Sequence, residues 1–289
     1  MADDKSRVFF PSVFQELFSL WDRLDDAVLY AGGTGHLRSK SPSTAPQNII
    51  SLDKLEELKT ISRTERYIEI GAMVTLNRII QLGKIVPEAL IRCLESLGGP
   101  QLRNIATIGG NICYPFKRLD SIGPMIALDA QYELRSAETS RWISASKFSS
   151  PPGPPALEPN ELLTRIRVPL EPWSFVWYRK FITHGRDKPG NNIILLLRYH
   201  KNILTGIRVV YSGQVVLREK NSENMLAGKR LPLDQKNVAV FMDSWKNYLS
   251  GLSEMESVIL ASEAGNFKPE LVKTQILKFI EATIMRISE

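Results

Sequence analysis

Two glycine segments, Ala31-Gly32-Gly33-Thr34-Gly35 and Thr107-Ile108-Gly109-Gly110-Asn111, constrain this chain more than any other feature. Paired glycines let the main chain approach an anion with no Cβ in the way, and the successive amides of such a segment can point inward at phosphates. Each segment follows a stretch able to form a strand, Ala27-Val28-Leu29-Tyr30 and Ile105-Ala106. Either alone is ordinarily a tight turn. Together they describe a backbone site for the phosphates of a dinucleotide. The G-x-G-x-x-G fingerprint does not fit, because its third glycine position is Arg38, and Pro42 and Pro46 exclude the long helix that would meet a pyrophosphate. The sequence therefore describes a nucleotide site made from two loops without a Rossmann helix.

At 289 residues the chain can hold a sizeable core and two domains. Its 43% hydrophobic and 24% charged residues are those of an ordinary globular protein. Met1-Ala2-Asp3-Asp4-Lys5 is acidic, no apolar signal core follows it, and no apolar run is long enough to span a membrane, so a cytoplasmic location is expected. Cys93 and Cys113 are the only cysteines, too few for an iron–sulfur cluster held by four thiolates. Cys93 reads as a core residue of a helix and Cys113 as a residue near the site. His36, His184 and His200 form no zinc spacing. The net charge of +6 comes from dispersed Lys and Arg, without the clustered footprint of a nucleic-acid surface. A mild positive balance suits cofactor phosphates, a pyridine nucleotide or an acidic partner.

Periodicity predicts a helix over 13–24, strands over 27–30, 48–52 and 67–70, a helix capped by Thr75, and a helix from Pro87 that stops at Gly98-Gly99-Pro100. A short helix follows over 120–130, then a strand pair over 132–135 and 141–143, a stiff proline loop at 151–155, and a strand over 162–168 ended by Pro169. We place a domain boundary near 170, giving domains 1–170 and 171–289. The second reads as strands over 175–181, 193–197, 207–211 and 214–217, then helices over 238–249 and 272–287, an α+β arrangement of antiparallel sheet followed by helices.

Ala31-Gly32-Gly33-Thr34, Ile70-Gly71-Ala72-Met73-Val74-Thr75-Leu76, Gln101-Leu102-Arg103-Asn104-Ile105-Ala106-Thr107-Ile108-Gly109-Gly110-Asn111-Ile112 and Ala127-Leu128-Asp129-Ala130 occur in one order. In that order they resemble the FAD-binding subunit of the molybdenum hydroxylases, the flavoproteins of xanthine dehydrogenase and carbon monoxide dehydrogenase. The resemblance runs from about Ala27 to Pro169 and continues more weakly through Tyr178-Arg179-Lys180-Phe181 and the segment 225–232. It implies a vanillyl-alcohol-oxidase-type FAD-binding domain followed by a smaller α+β C-terminal domain. It also implies non-covalent FAD, with molybdopterin and 2Fe-2S clusters confined to partner subunits.

In the first loop Ala31 and the amides of Gly32, Gly33, Thr34 and Gly35 are expected at the pyrophosphate, with the Thr34 hydroxyl as a further donor. His36 is either a cofactor contact or a solvent-facing loop histidine. In the second, Thr107 and Asn111 supply polar side chains around Gly109 and Gly110, with Ala106 and Ile108 packed beside the cofactor. Arg103 and Asn104 either meet it or tie the loop backbone down. The resemblance places Asp120 on ribose hydroxyls, a role compatible with capping the next helix. It places Leu163 near the flavin, and Lys180 close to the isoalloxazine, where a positive charge favours the anionic reduced form. Many family members carry a Ser-Pro pair before the aspartate, whereas this chain reads Tyr114-Pro115-Phe116-Lys117-Arg118-Leu119. Lys117 and Arg118 read better as a solvated basic loop than as phosphate ligands.

The function implied is an oxidoreductase: an electron-transfer subunit passing electrons from an iron–sulfur subunit and a molybdopterin subunit to NAD+ or another acceptor, with no nucleic acid and no membrane involved. The rivals are a self-contained FAD oxidoreductase, for which no acid or base is evident, and a cofactor-free interaction subunit of the same fold.

Overall fold

The computed structural model describes residues 7–35, 46–115, 118–149, 155–181, 191–263 and 268–287. His36, Lys117 and positions 151–154 of the proline loop lie outside them. Strands β1 (Arg7–Phe9), β2 (Ala27–Tyr30) and β3 (Asn48–Ser51) form a parallel sheet in the order β1-β3-β2. Helix α1 (Phe14–Arg23) connects the first two; of the predicted stripe Val13, Phe14, Leu17, Phe18, Trp21 and Leu24 it buries Phe14, Leu17 and Phe18, while Trp21 and Leu24 are half-buried and Val13, at the N-cap, is exposed.

Five antiparallel strands follow: β4 (Ile61–Arg63), β5 (Tyr67–Gly71), β6 (Gln131–Arg135), β7 (Ser140–Ser144) and β8 (Leu162–Pro169), in the order β4-β5-β8-β6-β7. Between β5 and β6 the chain makes α2 (Leu76–Gln81), α3 (Glu88–Glu95), α4 (Pro100–Ile105), α5 (Ile108–Ile112) and α6 (Ile122–Ala127), and α7 (Ala145–Phe148) follows β7. Thr75 caps α2 by accepting from the Arg78 amide. Cys93 is buried on α3, where burial, reinforced by the charge of Asp120, pushes its thiol up to about 12.

The remaining strands, β9 (Phe175–Phe181), β10 (Asn191–His200), β11 (Ile203–Ser212) and β12 (Val216–Leu217), pair antiparallel in the order β12-β11-β10-β9. Helices α8 (Lys220–Leu226), α9 (Gln235–Ser250), α10 (Glu254–Glu263) and α11 (Pro269–Ile284) complete the chain. The unbroken apolar run Ile193-Ile194-Leu195-Leu196-Leu197 has a simple cause: β10 is buried on both faces. Ile194 and Leu196 join a core shared with the first two sheets, while Ile193, Leu195 and Leu197 join a second core with Phe241, Trp245, Ile276 and Ile280 of the helices. The α+β class is as expected.

Three local expectations change. Ile105-Ala106 is not a strand: Ile105 ends α4, and Thr107 caps α5, so the second glycine pair lies in the first turn of a short helix. Gly98-Gly99-Pro100 stops one helix and starts the next, with Pro100 in the first turn of α4, where its missing N–H removes no bond. Asp120 precedes Ser121, the N-cap position of α6, rather than capping it. Helices α8 and α10 carry no apolar stripe regular enough to announce them.

Two buried carboxylates brace the five-stranded sheet. Glu133 accepts from Arg165 Nε and Nη2 (2.7 and 2.9 Å) and from the hydroxyls of Thr164 (2.7 Å) and Ser140 (3.2 Å). Glu161 accepts a two-pronged bond from Arg141 (2.6 and 2.8 Å) and the Glu158 amide (2.9 Å). Burial pushes both carboxyls up, but these donors outweigh it and hold both below the ordinary value of 4.5. Since the folded pKa values are depressed, their stabilising contribution is complete above pH 4.5 and is lost as pH falls through the folded values. Thermal melts between neutral pH and pH 3 are expected to show an acid limb that Glu133→Gln makes shallower. An unchanged limb in that variant would refute the assignment.

Candidate functional site: a cleft between two glycine segments

Strand β2 delivers Ala31-Gly32-Gly33-Thr34-Gly35 to one wall of a cleft of about 530 Å³, and Thr107, Gly109 and Gly110 of α5 form the facing wall. Why both walls need glycine is a matter of packing. A Cβ on Gly32 would overlap the carbonyl oxygen of Ile105, so the first segment is pressed directly against the end of α4. Gly33 has φ +70°, a conformation that glycine adopts without penalty, and the Tyr30 ring covers it. On Gly109 a Cβ would stand 2.7 Å from the Ala72 side chain, and on Gly110 it would stand 2.9 Å from Thr107 Oγ1.

The two segments are not equivalent as anion sites. In the second, Ile108 N–H donates to Val74 O, Gly109 N–H to Ala72 O, Gly110 N–H to Thr107 Oγ1 and Asn111 N–H to Thr107 O. These amides are spent inside the protein, so the second segment does not offer the phosphate-facing amides that its paired glycines suggest. In the first, the amides of Gly32, Gly33, Thr34 and Gly35 donate to no acceptor among the described residues. A run of unspent amides lining a cleft is what a pyrophosphate requires.

Leu163 also lines the cleft, whereas Ala106 and Ile108 are buried behind its wall and Asn111 turns away to accept from Ser121 Oγ at 2.6 Å. Asp120 and Lys180 lie outside its lining and pair with each other, Lys180 Nζ to Asp120 Oδ2 at 2.8 Å, with side chains 22% and 10% exposed. Asp120 Oδ1 is buried without a hydrogen-bond partner among the described residues, which leaves an acceptor for a hydroxyl donor. Asn192 Nδ2 donates to the Asp120 carbonyl at 3.3 Å and so anchors the Asp120 segment to β10. Arg103 clamps the turn between α3 and α4, its Nη1 donating to the carbonyls of Glu95, Leu97 and Gly98.

Other lining residues escape the sequence reading. Trp21 reads as part of the core stripe of α1. Met73 and Tyr114 carry no motif, and 157–161 follow a proline loop; all of these line the cleft. Asn160 has φ 57°, so a turn signal was available there. Cys113, half-buried, lines the cleft, and burial pushes its thiol up to about 12, which disfavours the thiolate. Arg118 departs from the solvated loop expected of it: it is buried, and its guanidinium donates to the carbonyls of Gln214 and Ser149.

A cleft with an anion-receptive glycine segment, set between a small parallel sheet and a five-stranded antiparallel sheet, defines a nucleotide-binding fold. Residues 4–171 match the family model described as the FAD binding domain in molybdopterin dehydrogenase. The chain belongs to that family. It is 32% identical over 166 residues to the xanthine dehydrogenase FAD-binding subunit of Escherichia coli O157:H7, covering 56% of each chain. It is 29% identical over 211 residues to the carbon monoxide dehydrogenase medium chain of Hydrogenophaga pseudoflava, covering 71% of this chain and 73% of that one. The chain spans about half the length of the xanthine dehydrogenase relatives, 56% and 51%. Its fold matches that of quinoline 2-oxidoreductase from Pseudomonas putida 86 with a TM-score of 0.79 at 20% identity, over 98% of this chain and 97% of that one.

The residues present fit FAD. The unspent amides of the first segment suit its pyrophosphate, and the orphaned Asp120 oxygen suits a hydroxyl. Among the described residues no group of three His, Cys, Asp or Glu side chains is placed to hold a metal, and no helix is long and apolar enough to cross a membrane.

Proposed function

We propose that the chain is the FAD-carrying electron-transfer subunit of a molybdopterin and iron–sulfur hydroxylase of the xanthine dehydrogenase type, acting in the cytoplasm and passing electrons to NAD+ or another acceptor. The observation that carries this reading is the first glycine segment, whose four amides line the cleft with no protein acceptor among the described residues. FAD, when bound, supplies the means to collect electrons singly and release them as a pair.

The chain's own residues would bind and orient it. Gly32 to Gly35 donate to the pyrophosphate, while Thr107 shapes the opposite wall and keeps its hydroxyl proton available as a donor. Leu163 and Met73 supply apolar lining, and Asp120 accepts from a hydroxyl. The carboxylates in the lining, Glu158 and Glu161, are both engaged by Arg141 at 3.4 and 2.6 Å, so among the described residues no unpartnered carboxylate lines the cleft to act on an organic substrate. Substrate selection then belongs to partners: an iron–sulfur subunit and a molybdopterin subunit.

The purified chain is expected to be yellow and to release FAD on denaturation, and a tagged native preparation to retain the two partner subunits. Substrate of the assembled enzyme should bleach the flavin, while the isolated chain should respond to dithionite alone. A colourless chain that takes up no FAD would leave the cofactor-free interaction subunit as the correct account. Turnover of an organic substrate by the chain alone would establish the self-contained oxidoreductase instead.

A further inference from the structure

A second, smaller cavity of about 170 Å³ shares no lining residue with the nucleotide cleft. Its wall brings together three cationic side chains, Arg118, Arg218 and Lys220, against a single carboxylate, Glu256. Two of the cations are held in place. Arg118 is buried, with Nη1 donating to the Gln214 carbonyl at 2.5 Å and Nη2 to the Ser149 carbonyl. Arg218 is fixed by Glu223 at 2.9 Å and Asp129 at 2.7 Å, so much of its charge is already balanced. Lys220 makes no ion pair among the described residues and opens the first turn of α8 at the cavity rim.

The cavity also contains an unmet hydrogen-bonding group. Ser149 lines it at 8% exposure, and its Oγ is buried with no hydrogen-bond partner among the described residues. A buried hydroxyl is ordinarily paired, and one left open beside fixed guanidinium groups marks a place for an acceptor. Tyr248 closes another side, and its hydroxyl oxygen is engaged by the backbone of Arg218. The volume suits a compact ion rather than a nucleotide.

We propose that this cavity is a binding site for a phosphate-class oxyanion, held by Arg118, Lys220 and the Ser149 hydroxyl, with Arg218 as a largely balanced positive charge in the same wall. The anion is either free inorganic phosphate or the phosphate of a monoester whose remainder projects to solvent. Because Arg118 precedes α6 and Ser149 ends α7, while Arg218 directly follows β12 and Lys220 opens α8, an occupant ties the third sheet to the second. Occupancy should therefore be read as stability.

The test uses the full chain carrying its flavin, so that the nucleotide cleft is filled. Inorganic phosphate, and separately glycerol phosphate, is titrated against thermal unfolding at constant ionic strength maintained with chloride. A saturable rise in melting temperature is expected with inorganic phosphate, and its half-saturating concentration should increase about tenfold in Ser149→Ala and in Lys220→Ala, the loss of one charge-assisted bond. An equal response to glycerol phosphate identifies the monoester as an acceptable source, and a response to inorganic phosphate alone identifies the free ion. Identical melting in phosphate and chloride, or variants that saturate as the parent does, would overturn the proposal. Flavin content measured in the same samples stays at the parent level, which separates failure of this site from failure of the nucleotide cleft.

Discussion

Gly32→Ala is expected to abolish FAD retention and to lower the stability of the chain by about 3 kcal/mol, near the upper end of what one added methyl does in a packed interior. The methyl has nowhere to go: it would overlap the carbonyl oxygen of Ile105 and approach Ala106 Cα to 3.3 Å, and both are backbone atoms at the junction of α4 and α5. Relief requires the first glycine segment to move away from the second, which displaces the four unspent amides together. Gly206→Ala is the matched control, since the nearest atom to its Cβ is the end of the flexible Arg198 side chain at 3.4 Å. Flavin content from visible absorbance, with unfolding midpoints for both variants, decides the matter. If Gly32→Ala keeps its flavin and its stability, the close packing of the two segments is not what forms the cleft.

This expectation differs in mechanism from the one the sequence supports. From sequence, a double glycine beside a strand means close approach of backbone to phosphate. In the structure the glycines at 32, 109 and 110 make room for protein, while the residues 32–35 line the cleft with amides that engage no acceptor among the described residues. That the two glycine segments are special was legible because glycine positions are set by backbone geometry, which leaves a local signature, and the structure brings both to one cleft. The inequality of the two segments was not, since it depends on Val74 and Ala72 offering carbonyls to the Ile108 and Gly109 amides across the fold.

The same division runs through the rest of the chain. The helix over 13–24 and the strand over 193–197 are written in the local sequence pattern, and α1 and β10 form there; that β10 is buried on both faces depends on the helices packed over it. Arg118 illustrates the opposite case. A Lys-Arg pair in a short loop reads as solvated, and only the approach of Gln214 and Ser149, distant in sequence, buries the guanidinium and supplies its acceptors. Trp21 reads as core because its helix position belongs to the stripe, while the cleft it lines is completed by 157–163, far away in sequence.

Asp120 and Lys180 are where local reading and tertiary structure meet, and they support the second large effect. Asp120→Ala is expected to destabilise the chain by about 3 kcal/mol, because it leaves the Lys180 ammonium without its carboxylate in a site where both side chains are largely buried. In Asp120→Ala/Lys180→Met no charge is stranded, so most of that loss should be recovered, as happens when both members of a buried pair are replaced by apolar groups. Flavin content should behave differently. The unpartnered Oδ1 is lost in both variants, and if it accepts from a cofactor hydroxyl, both should hold FAD more weakly by about tenfold, the value of one hydrogen bond to a charged group. Stability restored with flavin still weak in the double variant assigns Asp120 to the cofactor and Lys180 to holding it in place. Stability and flavin affinity both restored would make the pair a structural bridge between the segment before α6 and β9 and remove Asp120 from the site.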